Sequence, residues 1–388
     1  MKKVFALLLA LMMVVAAVAC TPAPQPAAET PAPAVTEAPA PEATPEATPE
    51  PAATGFEVAL ITDIGTIDDK SFNQGTWEGV VAYAEANGKT SNYFKPAAQS
   101  TDIYLDEIDK AVTAGAKVVV TPGFLFEEPI FIAQDKYPEV TFILIDGNPH
   151  SGDYSEYRTE KNALGIVFAE EQAGYLAGYA AVKDGYTKLG FMGGMAVPAV
   201  IRYGYGFVQG AEAAAKEMGV AEITMNYHYT GNFDATPENQ TLAASWYSDG
   251  VEVIFACGGA VGNSVMAAAE ATEKGKVIGV DVDQSSESER VITSAMKGLG
   301  AAVQQALTAY YANEFPGGEA WVLGADKDGV SLPMATSKFN TFSQADYDAL
   351  FAKLAAGEVT LIKDKDAEGK DVAVTGLGTE IVKVSVIE

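Results

Sequence analysis

Histidine and cysteine are almost missing from this chain, with two of each in 388 residues. Two histidines leave little material for metal binding or general-base work. His150 follows Pro149 and His228 lies in a β-rich run, with no ligand spacing between them. Also absent are Gly-x4-Gly-Lys-Ser/Thr, His-Glu-x-x-His and Gly-x-Ser-x-Gly, which removes the phosphate-loop, zinc-protease and serine-hydrolase signatures. Asp364-x-Asp366-x-Glu368-Gly369 opens like a calcium loop. Thr375 stands where that loop needs a bidentate Glu, so the segment reads as a polar turn. No metal, no cofactor and no catalysis are expected. Basic charge is scarce too: 25 Lys and Arg stand against 52 Asp and Glu, a formal net charge of −27. Such a balance disfavours nucleic acid and anionic lipid head groups and favours solubility. Beyond residue 19 no uncharged apolar run is long enough to span a bilayer.

What is present begins with Met1-Lys2-Lys3 and an apolar run from Val4 to Ala19, the proportions of a signal sequence. Ala17-Val-Ala-Cys20 closes the signal segment 1–20 and resembles a bacterial lipobox, which implies cleavage before Cys20 and its diacylation as the new N-terminus. Residues 21–54 are almost wholly Pro, Ala, Thr and Glu. They cannot bury enough apolar surface to offset ordering, and proline keeps them extended. A disordered tether behind a lipid anchor suits a domain standing off the extracytoplasmic face of a cell membrane. With Cys20 acylated, Cys257 is the one thiol left. Its place in Val251-Glu-Val-Ile-Phe-Ala-Cys257 is that of a packing residue.

From Gly55 onward, β-branched runs at 56–61, 117–121, 140–145, 187–192, 222–228, 251–257 and 276–280 alternate with helical patterns. After Ser71, residues Trp77, Val80, Val81 and Ala84 recur at helical spacing, and Ser71 with Gln74 predicts a capping box. Repeated βα units predict doubly wound parallel sheets. The rhythm runs twice, which predicts two lobes joined by a hinge with a ligand cleft between them. The boundaries read as 55–163 plus about 291–325 for the N-terminal lobe. The C-terminal lobe then takes about 164–290 plus 326–388.

In open α/β sheets, ligands bind beyond the carboxyl ends of the strands. Those ends carry chemistry here: Asp63, then Phe72-Asn73 opening a helix; Gly123-Phe124; Asp146; Arg202-Tyr203; Gly231-Asn-Phe233; Cys257-Gly258; and Asp281. A single carboxylate at such a place is as often a helix cap or turn residue as a ligand. Acceptors and aromatic rings gathered at many strand ends of both halves point to a small polar ring compound.

Asp63-Ile-Gly-Thr-Ile-Asp-Asp-Lys-Ser-Phe-Asn-Gln-Gly-Thr-Trp-Glu-Gly79 resembles the opening motif of the BMP (basic membrane protein) lipoproteins, the purine nucleoside receptor group. Gly123-Phe-Leu-Phe126, Ala256-Cys-Gly-Gly-x-x-Gly-Asn263, Ile278-Gly-Val-Asp-Val-Asp-Gln284 and Thr293-Ser-Ala-Met-Lys297 extend the resemblance. It implies a type I periplasmic-binding-protein fold, a monomer, and ABC permease and ATPase partners. It also implies that Phe72 and Phe233 sandwich a nucleobase and that Asp63 reads the base edge. Asp281, Lys297 and Gly258 would hold the ribose, with Asn73, Phe124 and Tyr203 lining the cleft. Tyr203 replaces a more usual Phe. A sugar receptor of the same fold, a surface sensor and a nucleoside-processing enzyme using Asp63, Asp68 and Asp69 stand as alternatives.

Overall fold

The computed structural model describes residues 55–388. The signal segment 1–20 with Cys20 and the tether 21–54 lie outside the described residues.

The first sheet has the order β2–β1–β3–β4–β5–β11 and is parallel throughout. Its strands are β1 (Val58–Ile61), β2 (Ser91–Phe94), β3 (Val118–Pro122), β4 (Thr141–Ile145), β5 (Ala163–Phe168) and β11 (Ala320–Leu323). Helices α1 (Phe72–Ala86), α2 (Thr101–Thr113) and α3 (Glu127–Lys136) connect the strands from β1 to β4. The central strands β1, β3 and β4 are buried along their whole length. Continuous apolar runs such as Val-Val-Val in β3 are what a sheet covered on both faces requires.

The second sheet repeats that order as β7–β6–β8–β9–β10 and adds an edge strand on each side. It comprises β6 (Lys188–Gly193), β7 (Ile223–Tyr229), β8 (Val253–Cys257), β9 (Lys276–Asp281), β10 (Val291–Lys297), β12 (Val330–Ser331) and β13 (Val382–Val386). Around it lie α4 (Glu170–Lys183), α5 (Pro198–Met218), α6 (Pro237–Ser248), α7 (Val261–Glu270) and α9 (Gln344–Ala355), while α8 (Leu299–Tyr311) packs on α1 of the first lobe. The chain therefore passes between the sheets three times: from β5 into α4, from β10 into α8, and from β11 to β12.

Two expected boundaries are corrected by this topology. Residues 291–297 form β10 and pair in parallel with β9, so they belong to the second sheet and not to the N-terminal lobe. The 282–290 connection is shorter than the dozen or so residues of a helical crossover, which hid the pairing. Conversely, β5 pairs with β4 in the first sheet, so the first passage falls after Phe168 and not at 163. The expected Ser71–Gln74 capping box is also not formed. Asp69 takes that role, accepting from the backbone N–H groups of Ser71, Asn73 and Gln74 at 2.8, 3.0 and 3.1 Å. Its two oxygens satisfy three orphan donors of α1 and leave the Ser71 hydroxyl free.

Helices α4 and α5 pack backbone to backbone. Gly174 and Gly178 on one face Gly206 and Gly210 on the other, each pair four residues apart. A Cβ on Gly206 would stand 2.0 Å from the Glu171 carbonyl oxygen, and one on Gly178 2.1 Å from that of Phe207. This close approach sets Glu170 and Glu171 beside Arg202 and Tyr203. Gly206→Ala should force the helices apart and cost at least about 1–3 kcal/mol, as overpacking does. Urea unfolding would read that loss, and an unchanged midpoint would contradict the packing.

Candidate functional site

The carboxyl ends of both sheets face one cleft of about 250 Å³. Its position follows from the strand order, because β1/β3 and β6/β8 are the points where each sheet reverses its winding. Asp63, Phe72, Asn73, Phe124, Tyr203, Phe233, Gly258, Asp281 and Lys297 all line it. So do Asp146, which the strand-end argument named without giving it a role, and Lys95 and Glu170, which it did not reach. Asp146 closes β4 as Asp281 closes β9, and that parallel was readable. Glu170 was hidden because β5, the strand before it, was not recognised.

At the first-lobe end, Asp63 follows β1. Its Oδ1 accepts from Gly65 N–H at 2.6 Å and from Asn73 Nδ2 at 3.0 Å. The same Asn73 amide nitrogen lies 3.0 Å from Asp69 Oδ2, so the cap of α1 also orients the group beside Asp63. Gly123 sits at φ 110°, and a Cβ there would crowd Asp63 Oδ2 at 3.2 Å. Only glycine meets both conditions cheaply. Burial raises the Asp63 carboxyl to about 6, against the hydrogen bonds from Gly65 and Asn73 that favour its charged form. Asp69 is raised by burial as well. Its engagement as a cap gives Asp69 a structural task in place of metal ligation, and Asp68 is exposed.

The other end is built around the Lys297 ammonium, 4% exposed. Lys297 forms ion pairs with Asp146 and, at 3.3 Å, with Glu170. The rings of Phe72, Tyr203 and Phe168 stand 5.1, 5.4 and 5.6 Å from its Nζ. Burial alone would lower its pKa. Asp146, Glu170 and Asp281 outweigh burial and raise it, so the ammonium stays charged. Burial raises all three carboxyls in turn, opposed by Lys297. Asp146 Oδ1 and Glu170 Oε2 are buried with no hydrogen-bond partner.

Asp146 and Asp281 adopt left-handed backbone conformations, φ 61° and 66°. Such strain at strand ends is characteristic of positions that aim a side chain at a ligand. Across the cleft, the freed Ser71 hydroxyl donates to Asp281 Oδ2 at 2.6 Å, and Gln284 Nε2 donates to the Lys70 carbonyl at 2.7 Å. The second-lobe wall is shaped by small residues. Gly194 leaves room for the Phe233 ring, which a Cβ would meet at 2.4 Å, and Gly258 lies against the Gly194 backbone. Tyr203 is buried, its hydroxyl donating to the Ala295 carbonyl at 3.2 Å.

The arrangement can hold a neutral compound with a flat aromatic part and several hydroxyls. Comparison with known proteins agrees with a binding role. Residues 56–362 match the Bmp family, described as "ABC transporter substrate-binding protein PnrA-like". The "ABC transporter nucleoside-binding protein BmpA" of Lactococcus lactis subsp. cremoris is 29% identical over 324 residues, covering 78% of this chain and 89% of that protein. "Basic membrane protein A2" of Borrelia garinii subsp. bavariensis is 30% identical over 311 residues, covering 79% of this chain and 88% of its own. Among solved structures, a solute-binding protein of an ABC transporter system from Aeropyrum pernix superposes with a TM-score of 0.69 at 23% identity, covering 81% of this chain and 95% of its own, a likeness of fold. The chain belongs to the Bmp family of PnrA-like ABC transporter substrate-binding proteins.

Proposed function

We propose that this protein captures purine nucleosides outside the cytoplasmic membrane, tethered by a lipid on Cys20, and delivers them to the permease and ATPase of an ABC importer. The observation that carries the reading is the division of the cleft. The amide-supported carboxylate of Asp63 lies at the first-lobe end, a charged cluster lies around Lys297, and the Phe72 ring stands 5.1 Å from that ammonium. A purine has two apolar faces and an edge with N–H donors, which suit Phe72, Phe233 and Asp63. A ribose has vicinal hydroxyls that donate to carboxylates and accept from an ammonium, which suit Asp281 and Lys297. The name of the Lactococcus relative supports the same ligand class. A phosphate would meet Asp63, Asp69 and Asp281, so the acidic lining disfavours nucleotides.

Binding is the whole chemistry. A ligand held by Asp63 in one lobe and Asp281 in the other biases a hinged equilibrium toward closure, and the permease then reads the closed form.

Phe72→Ala should remove one face of the sandwich and weaken inosine binding by about 1–3 kcal/mol, the range for base–aromatic stacking. An unchanged dissociation constant in a folded variant would reduce Phe72 to a packing residue. Asp281→Ala should cost about 2–4 kcal/mol, since each hydrogen bond to a charged group contributes about 1.5–3. Calorimetry with inosine, hypoxanthine and ribose tests the assignment directly. If the free base binds wild-type protein as tightly as the nucleoside, no sugar is held and the nucleoside reading fails.

The pH dependence should split in two. The Asp63 carboxyl titrates at about 6 when folded and near 3.9 when unfolded, so the folded state keeps a proton the unfolded chain has lost. Its contribution to the stability of the empty protein therefore rises as pH falls from about 6 toward 4. Nucleoside affinity should move the opposite way, because the protonated group no longer accepts two donors from a base edge. Thermal unfolding with and without inosine at pH 7 and pH 5 checks this. Asp63→Asn should weaken the pH dependence of affinity, with Asp146, Glu170 and Asp281 carrying the remainder, and a variant with the full wild-type dependence would clear Asp63 of the role.

A further inference from the structure

The cleft cluster does not end at its walls. Arg202, in the first turns of α5, lines the cleft and turns its fork outward onto Asp364. Its Nε lies 2.6 Å from Asp364 Oδ1 and its Nη2 3.3 Å from Oδ2. The remaining edge of the guanidinium faces inward, with Nη1 3.6 Å from Glu170 Oε2. Glu170 Oε1 is in turn 3.3 Å from the Lys297 ammonium, which pairs with Asp146. Charges thus alternate from the C-terminal segment to the floor of the cleft, through Asp364, Arg202, Glu170, Lys297 and Asp146. Asp364 is itself buried, at 7% exposure.

Asp364 lies just beyond residue 362, where the family match ends. The segment that carries it is nevertheless fixed across α4 and α5 like a strap. Gln209 exchanges two hydrogen bonds of 2.9 Å with the Ile362 backbone, Lys363 pairs with Glu171 at 2.9 Å, and the Tyr205 hydroxyl donates to the Val372 carbonyl. An exposed tail with no bearing on the cleft would not need a buried carboxylate aimed at a cleft-lining arginine.

We infer that Asp364 is a positioning residue for ligand binding: by holding two nitrogens of Arg202, it keeps Glu170 paired with Lys297 and so sets the acceptors that meet the sugar. This rests on the nucleoside reading. Without the Asp364 carboxylate, the Arg202 fork turns onto Glu170 Oε2, the acceptor it already approaches. Glu170 then leaves Lys297, and the ammonium shifts toward Asp146 and Asp281. The base-edge acceptor, built on Asp63 and Asn73, contains none of these groups.

The test is calorimetry of inosine and hypoxanthine on the full chain in detergent solution, for wild type, D364N, D364E and Q209A. D364N should weaken inosine binding by about tenfold, the loss of roughly one charge-assisted hydrogen bond, and leave hypoxanthine unchanged. D364E, which restores the carboxylate, should recover most of the inosine affinity. Q209A loosens the strap without touching the Arg202 pair and should keep the wild-type ratio of the two affinities. A wild-type ratio in D364N, or the same loss in Q209A, would overturn the inference. Should D364N not fold, R202K, which keeps the charge but loses the fork, carries the same expectation and the same refutation. Equal binding of inosine and hypoxanthine by wild type would instead overturn the nucleoside reading itself.

Discussion

One buried ammonium organises this molecule. Desolvating a lysine costs several kcal/mol, and Lys297 is held in the interior by surrounding carboxylates rather than by water. Those carboxylates come from different parts of the chain: Asp146 from the end of β4, Glu170 from the start of α4, and Asp281 from the end of β9. Glu170 and Lys297 sit where the chain passes between the lobes. The polar floor of the cleft and two of the three hinge passages are therefore the same atoms.

The charge balance there bears on the nucleoside proposal. Three carboxyls surround one ammonium, with Arg202 shared between Glu170 and Asp364. Burial pushes every one of the three carboxyls toward protonation. Hydroxyl donors relieve that state by stabilising the ionised form without adding charge.

The sequence disclosed the parts of the fold whose pattern is periodic and apolar. β1, β3, β4, β6, β7, β8 and β9 all lie where β-branched runs predicted them. Ser91–Phe94 was missed because an edge strand of polar and aromatic residues lacks that pattern. Val291–Lys297 was assigned to the wrong lobe because its connection to β9 carries no helix. Site residues that end a recognised strand or open the helix after it, such as Asp63, Phe72 and Asp281, were visible for that reason. Glu170 depends on helix α4 lying against α5 at glycine-to-backbone distance, a fact of packing that no local motif announces. Ser71 was visible but assigned the wrong task, since a competing acceptor two residues earlier took the helix cap.

The doubled architecture explains why a lysine is needed at that place. The sheets share the order 2-1-3-4-5, so β4 corresponds to β9 and β5 to β10. The first correspondence puts Asp146 and Asp281 at equivalent strand ends, both in the left-handed conformation. The second puts Glu170, just past β5, opposite Lys297, at the end of β10. Strict repetition would bring four carboxylates to one buried point, which no dielectric inside a protein could hold ionised. The second passage instead carries the opposite charge. It replaces four mutually repelling groups by three carboxyls around one ammonium, a cluster that the two lobes can fold around.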